Sequence, residues 1–239
     1  MNKMEDGTSR HLVIGLGEVG QAVREVFVAD GYDPYQNIDD ATGKYDFVHI
    51  CYPHGKDFIA ITQAYLEKYL APSGIPIIHS TVPVGTSWTL GAVHSPIRGV
   101  HPDLAQSIKT FVKFIGGERS LEAAKEFEKF GVTCEATTQA ANTEALKLWD
   151  TTQHGLAILL EKFIHAYCKL RGLDFYIVYT RANKTYNDGY RAMGKPQFCR
   201  PALEQVDGPI GGHCVLPNAK LLNHPLGKWL IKTNQRIKN

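Results

Sequence analysis

Two segments near opposite ends of the chain hold residue types and spacings from which chemistry could be built. The first is Gly15-Leu16-Gly17-Glu18-Val19-Gly20, directly after the apolar run His11–Ile14. A glycine turn that closes a strand and opens a helix leaves backbone N–H groups and the positive dipole end facing outward, which suits a pyrophosphate. Gly15 would permit the tight turn, Gly17 would let phosphate approach the backbone, and Gly20 would allow close packing of helix on strand. The second is Gly211-Gly212-His213-Cys214, where paired glycines let backbone come close to a ligand beside a thiol. Between them, Glu144 and Lys147 stand three residues apart in a helical pattern, so both project from one face and can line one cleft. A lysine ammonium near Cys214 would favour thiolate and stabilise charge developing on a carbonyl oxygen.

A carboxylate belongs about twenty residues beyond such a glycine turn, at the end of the next strand. Tyr35–Asp39 reads as that strand, and it ends at Asp39 and Asp40. Asp39 is preferred because Ile38 before it continues the strand. A carboxylate there would accept from both ribose hydroxyls and repel a 2′-phosphate, which points to NAD rather than NADP. Tyr52 and Pro53, just after the run Asp46–Cys51, complete the expected cofactor-binding set with Leu16, Glu18 and Val19.

The elements that must position these groups follow from periodicity. Strands are expected at His11–Ile14, Tyr35–Asp39, Asp46–Cys51, Pro76–His79, Lys113–Ile115 and Val132–Ala136. Helices are expected at Glu18–Ala29, Lys56–Leu70 and Ser120–Phe130. From Thr143 to Leu170 one long helical pattern runs through Leu146, Trp149, Leu156, Leu159, Leu160, Phe163 and Tyr167. Gly172 would stop it, and Asp174 would cap a further helix to about Arg191. The last fifty residues read as loops with one helix near Asn218–Leu222. The expected architecture is α/β: a Rossmann-like parallel-sheet domain over residues 1–140, then a smaller α-helical domain over 141–239 that carries the cysteine loop.

Bulk composition excludes several classes. The chain has 239 residues and a net charge of +2, with no basic run to suggest nucleic acid or an anionic membrane. Its five cysteines are scattered without CxxC spacing, which argues for a reducing compartment and against a disulfide framework or a structural metal site. The polar N-terminus lacks an apolar signal core, so a cytoplasmic location is expected. Cys51, Cys134, Cys168 and Cys199 read as packing residues.

Three further segments occur in order: Ser80-Thr81-Val82-Pro83-Val84-Gly85-Thr86, Glu144-Ala145-Leu146-Lys147-Leu148 and Gly208-Pro209-Ile210-Gly211-Gly212-His213-Cys214. This order resembles the UDP-glucose/UDP-N-acetylmannosamine/GDP-mannose dehydrogenase family, within the 6-phosphogluconate dehydrogenase-like superfamily, over residues 11–222. The resemblance implies an NAD-dependent oxidation of a primary alcohol in two steps. It implies that Thr81 lies beside nicotinamide and substrate, that Glu144 lies near the cofactor, and that Lys147 stabilises oxyanions. It implies that Cys214 captures an aldehyde as a thiohemiacetal and then a thioester. It also implies a homodimer through the long helix.

Four departures separate the chain from that pattern. The family's aspartate four positions after the cysteine is Asn218 here, which cannot accept a proton as a carboxylate does. The glutamate after a proline that assists thioester hydrolysis is Ile97, and Thr151 replaces an asparagine four residues after Lys147. Only about seventeen residues follow Leu222, where the family continues into a nucleotide-sugar domain. The expectation is therefore a small hydroxylated or carbonyl substrate rather than an ordinary UDP-sugar, changed in a two-electron step by Lys147 and Cys214, with Asn218 beside them. Arg98, Asn187 and Arg200 are candidates for holding a substrate carboxylate or hydroxyls. His213 either lines the site or is incidental to the loop. Two other readings stay open: a catalytically degenerate NAD-binding sensor, scaffold or partner subunit, and a prephenate dehydrogenase-like enzyme. The last rests on Gly99-Val100-His101-Pro102, with His101 as base.

Overall fold

The computed structural model describes residues 9–237 and divides the chain into two units, Met1–Lys147 and Leu148–Asn239. The first unit is built on an eight-stranded sheet: β1 (His11–Ile14), β2 (Asp30–Asp33), β3 (Ile38–Asp39), β4 (Tyr45–Ile50), β5 (Leu70–Ile78), β6 (Val93–His94), β7 (Lys113–Gly116) and β8 (Cys134–Thr137). Their spatial order is β3-β2-β1-β4-β5-β6-β7-β8. Strands β2, β1, β4, β5 and β6 run parallel; the β2–β3 and β6–β7 pairs are antiparallel, and β8 is parallel to β7. Helices α1 (Glu18–Phe27), α2 (Phe58–Tyr69), α3 (Thr86–Thr89), α4 (Leu104–Thr110) and α5 (Ser120–Lys129) connect the strands.

The strands read as continuous apolar runs because both faces are covered. One face packs Val13, Phe47, Ile77 and Ile115 against Val23, Phe27, Ile108 and Phe127. The other packs Leu12, Val48, Ile50 and Ile78 against Phe58 and Tyr69. The chain leaves β1 to one side for β2 and returns to its other side for β4. That reversal opens a crevice at the strands' C-terminal ends, the place where ligands bind in open α/β sheets.

One expected strand is corrected. The segment Tyr35–Asp39 is a turn followed by the two-residue edge strand β3, and the parallel neighbour of β1 is β2. The residues Asp30-Gly31-Tyr32-Asp33 carry little β-propensity of their own. Their backbone pairing, Leu12 with Asp30 through Ile14 with Tyr32, holds them extended. The short α3, β6 and α4 also lie where periodicity gave no element.

The second unit begins within α6 (Ala140–Arg171), one uninterrupted helix of 32 residues, which places the division after Lys147 rather than at residue 140. A π-helical stretch at Tyr176–Arg181 and α7 (Ala182–Ala192) follow, and Asp174 accepts from the Tyr176 N–H at 2.8 Å as the expected cap. Beyond them come α8 (Val215–Leu222) and α9 (Pro225–Asn234). The tail is thus more helical than expected. His224 caps α9 by accepting from the Leu226 N–H, and Pro225 starts it without an orphan donor. Leu159, Ile210, Val215, Ala219 and Leu230 form this unit's core.

Candidate functional site

The glycine turn lies at the crevice between β1 and β4. Gly15 has φ +88°, and a Cβ there would sit 2.8 Å from the Tyr52 backbone nitrogen. At Gly20 a Cβ would come 1.8 Å from the Gly15 carbonyl oxygen, so the first turn of α1 packs on the glycine loop too closely for a side chain. Gly17, which caps α1, faces open space. The first and third glycines therefore close the turn, and the middle one leaves room above the helix N-terminus. This is the shape a pyrophosphate requires, so the residues present fit a dinucleotide.

Tyr52 packs its backbone against Gly15, and its hydroxyl bonds Thr62. Burial pushes that phenol up to about 12, so it stays protonated. Pro53 is exposed beside it. Leu16 is buried, and its N–H donates to Asp33 at 2.7 Å.

Two acidic residues stand near the turn, Asp33 and the expected Asp39. Asp33 ends β2, whereas Asp39 lies exposed on the edge strand β3, where its carboxylate accepts only from the Ala41 N–H at 3.3 Å among the described bonds. Asp40 pairs with Arg24 at 2.7 Å. The Asp33 carboxylate takes N–H donations from Leu16, Tyr35 and Gln36 and a further bond from the Gln36 side chain. Burial raises its pKa, and these donors outweigh that and hold it below the usual carboxylate range. At the mouth of the turn, Glu18 lies 2.8 Å from His101 Nδ1, so His101 is placed beside the opening of α1.

Thr81 is half-buried in the loop after β5. The preceding Ser80 hydroxyl donates to the Tyr52 carbonyl at 2.6 Å, which ties this loop to the one after β4. Glu144 has a structural task that the sequence did not announce. It is fully buried, and its carboxylate accepts from the Gly85 N–H at 2.6 Å and the Ser87 N–H at 2.8 Å. Both oxygens are engaged by the start of α3, so Glu144 fixes the loop that leads into that helix. Lys147 projects one helical turn further on α6 and donates to the Ile97 carbonyl at 2.8 Å. Ile97 thus presents its backbone to that lysine. Arg98 lays its guanidinium over the Phe114 ring, 5.6 Å from the centroid.

In the second unit, Cys214 is exposed at the N-cap of α8, with His213 exposed before it. Asn218 is buried in α8, and its Nδ2 donates to Thr151 Oγ1 at 3.2 Å. Asn218 and Thr151 therefore meet, and Asn218 joins α8 to α6. Asn187 is buried, donating to the Arg200 carbonyl at 2.9 Å and accepting from the Arg200 N–H at 3.0 Å. It pins the loop after α7. The Arg200 guanidinium stacks on Tyr186 at 4.0 Å.

Sequence reasoning missed a buried polar row in the first unit. His11, His49 and His79 are hydrogen-bonded in series, and Lys113 stands at its end. The signal was a histidine inside each of the apolar runs HLVI, FVHI and PIIH, on strands that prove to be neighbours.

No protein-family model and no curated protein matches the sequence. Solved structures do. UDP-D-ManNAc dehydrogenase from Pyrococcus horikoshii has a TM-score of 0.78 at 17% identity, over 95% of this chain and 68% of that one. The UDP-N-acetyl-mannosamine dehydrogenase of Staphylococcus aureus gives 0.69 at 20% identity, over 97% and 68%. The Mycobacterium tuberculosis 3-hydroxyisobutyrate dehydrogenase gives 0.70 at 15% identity, over 96% and 93%. At these identities the shared property is the fold: a Rossmann-like sheet domain followed by a smaller helical domain, as in these dehydrogenases.

Proposed function

We propose that this chain is an NAD-dependent oxidoreductase that acts on the CH–OH group, or the corresponding carbonyl, of a small polar substrate. The observation that carries this reading is the glycine turn at the sheet's reversal point, closed at Gly15 and Gly20 and open at Gly17. Bound there, NAD would take up the two electrons leaving the alcohol carbon. Asp33 holds the loop amides from the strand end where the ribose carboxylate is expected. We assign Lys147 to the substrate oxygen, where its ammonium would stabilise developing negative charge. We assign Cys214 as a nucleophile toward a carbonyl carbon. Similar folds are named for nucleotide-sugar and for hydroxy-acid oxidation. With no carboxylate at 97 or 218, a single two-electron step on a small hydroxylated compound is the better supported of the two.

The test is nicotinamide absorbance during a screen of polyols, sugar acids and hydroxy acids. A substrate should appear, and Lys147→Ala should lower its turnover about 10²–10³-fold, as removal of an oxyanion donor does. The Asn218–Thr151 bond favours one second reading, a degenerate NAD-binding protein whose active-site positions have become structural. Cofactor binding without turnover, and indifference to Cys214→Ser, would select it.

We further propose a homodimer through α6. Leu160, Phe163, Tyr167 and Leu170 on that helix are 60%, 45%, 54% and 82% exposed in the single chain, an apolar stripe that a monomer would leave in water. Five unpaired cysteines support a reducing, cytoplasmic setting. Among the described residues no helix is long and apolar enough to cross a membrane, and no group of side chains is arranged to hold a metal ion.

A further inference from the structure

The buried histidines cross the sheet diagonally. His11 opens β1 at the sheet's N-terminal edge, His49 lies near the end of β4, and His79 follows β5 at the C-terminal edge. His11 Nδ1 is 3.0 Å from His49 Nε2, and His49 Nδ1 is 2.9 Å from His79 Nε2. His79 Nδ1 is 2.7 Å from the Ser95 carbonyl and 3.4 Å from Lys113 Nζ. At the outer end His11 Nε2 is 3.3 Å from Glu126, whose other oxygen accepts from the exposed Lys129. At the inner end Lys113, only 3% exposed, donates to the Ser95 and Pro96 carbonyls at 2.6 and 2.9 Å. The next carbonyl, Ile97, receives Lys147.

Each bond between rings needs one proton, so the three rings must share one orientation. If every ring carries its proton on Nε2, His11 donates to Glu126 and His79 Nδ1 accepts from a charged Lys113. If every ring carries it on Nδ1, His79 donates to Ser95 and Lys113 is the neutral amine. One proton separates the two states. It leaves Lys113 for His79 Nδ1; His79 gives its Nε2 proton to His49 Nδ1; His49 gives its own to His11 Nδ1; and the Nε2 proton of His11 passes to Glu126 and solvent. Uptake is the reverse.

We propose that these histidines are a proton-exchange path through which Lys113, sealed at the catalytic edge of the sheet, takes its charge from solvent at the opposite edge. Lys113 is thereby a positioning residue, and its charge sets the hold on the Ser95–Ile97 segment, whose Ile97 carbonyl accepts from Lys147. Burial supports this: it pushes the Lys113 ammonium down to about 7 and keeps His49 and His79 neutral. The other titratable groups facing Lys113 are Cys51, Cys134, His94 and Lys147. Those at the outer end are Glu126 and Lys129. Phe27, Phe47, Phe127 and Phe130 enclose the rings and supply no competing charge. The path rests on the oxidoreductase reading only for calling that edge catalytic.

Nitrogen-15 histidine NMR of the cofactor-free protein tests it without turnover. Between about pH 6 and 8.5, a range that brackets the lowered Lys113 ammonium at about 7, His49 and His79 should change from Nε2–H to Nδ1–H with one common midpoint. Lys113→Met should hold both rings as Nδ1–H throughout. If that variant does not fold, Glu126→Gln should move the common midpoint to lower pH. Rings that keep one tautomer across the range, separate midpoints, or a midpoint unmoved by Glu126→Gln would overturn the path. A common switch in a protein that lacks dehydrogenase activity would leave the path standing and remove only the enzymatic reading.

Discussion

Glu144→Gln separates a carboxylate that holds a loop from one that touches a cofactor. The native group accepts two charge-assisted bonds, from the Gly85 N–H at 2.6 Å and the Ser87 N–H at 2.8 Å, with no exposure to water. A glutamine keeps one acceptor oxygen and sets its NH₂ against the other backbone donor. The variant therefore loses one charge-assisted bond, worth about 1.5–3 kcal/mol, and leaves a buried N–H unsatisfied. Relief by a shift of α3 would recover part of this, so a loss of about 2–4 kcal/mol is expected. Urea unfolding is the assay. With a slope of about 2 kcal/mol/M, the midpoint should fall by about 1–2 M at unchanged slope. A parental midpoint combined with weakened NAD binding would refute the reasoning and return Glu144 to the cofactor.

The glycines of the turn should respond differently to alanine. Gly20→Ala places a Cβ 1.8 Å from a carbonyl oxygen and should cost about 1–3 kcal/mol together with dinucleotide binding, whereas Gly17→Ala should leave thermal stability unchanged and weaken NAD in a titration. Lys113 loses its proton more easily in the folded chain, so the unfolded chain is the more protonated above pH 7; unfolding free energy should rise with pH by about 1 kcal/mol per unit on average between about pH 7 and 8.5, and Lys113→Met should flatten that rise. Burial holds His49, His79 and His94 below the ordinary imidazole value, so the unfolded chain takes up protons first as pH falls from about 6.5. Acid should therefore destabilise both the parent and the Lys113 variant on that side. Replacing Leu160 and Leu170 together by Glu should convert a dimer to a monomer in sedimentation without changing its circular dichroism.

What was legible in the sequence was local and periodic. The apolar strand at His11–Ile14, the glycine turn and the long helix each announce themselves within a window of neighbours, and each appears within a few residues of its expected bounds. The Asp33 strand was not legible, because Asp30-Gly31-Tyr32-Asp33 is extended by its partner β1 and not by its own side chains. Glu144 was found by its motif, but its task depends on two amides nearly sixty residues away. Asn218 and Thr151 looked like two separate losses, and their contact shows them to be one pair. The histidine row has the same origin. Each ring occupies an unremarkable strand position, and only the order β1, β4, β5 brings them into line.

The central claim, that the crevice beside Gly15–Gly20 holds a dinucleotide, is tested most directly by calorimetric titration of the cofactor-free protein with NAD. One saturable site per chain, retained in Cys214→Ser and lost in Gly20→Ala with the fold intact, is the predicted result. Absence of binding at millimolar NAD, or equal binding by the Gly20→Ala variant, would contradict it.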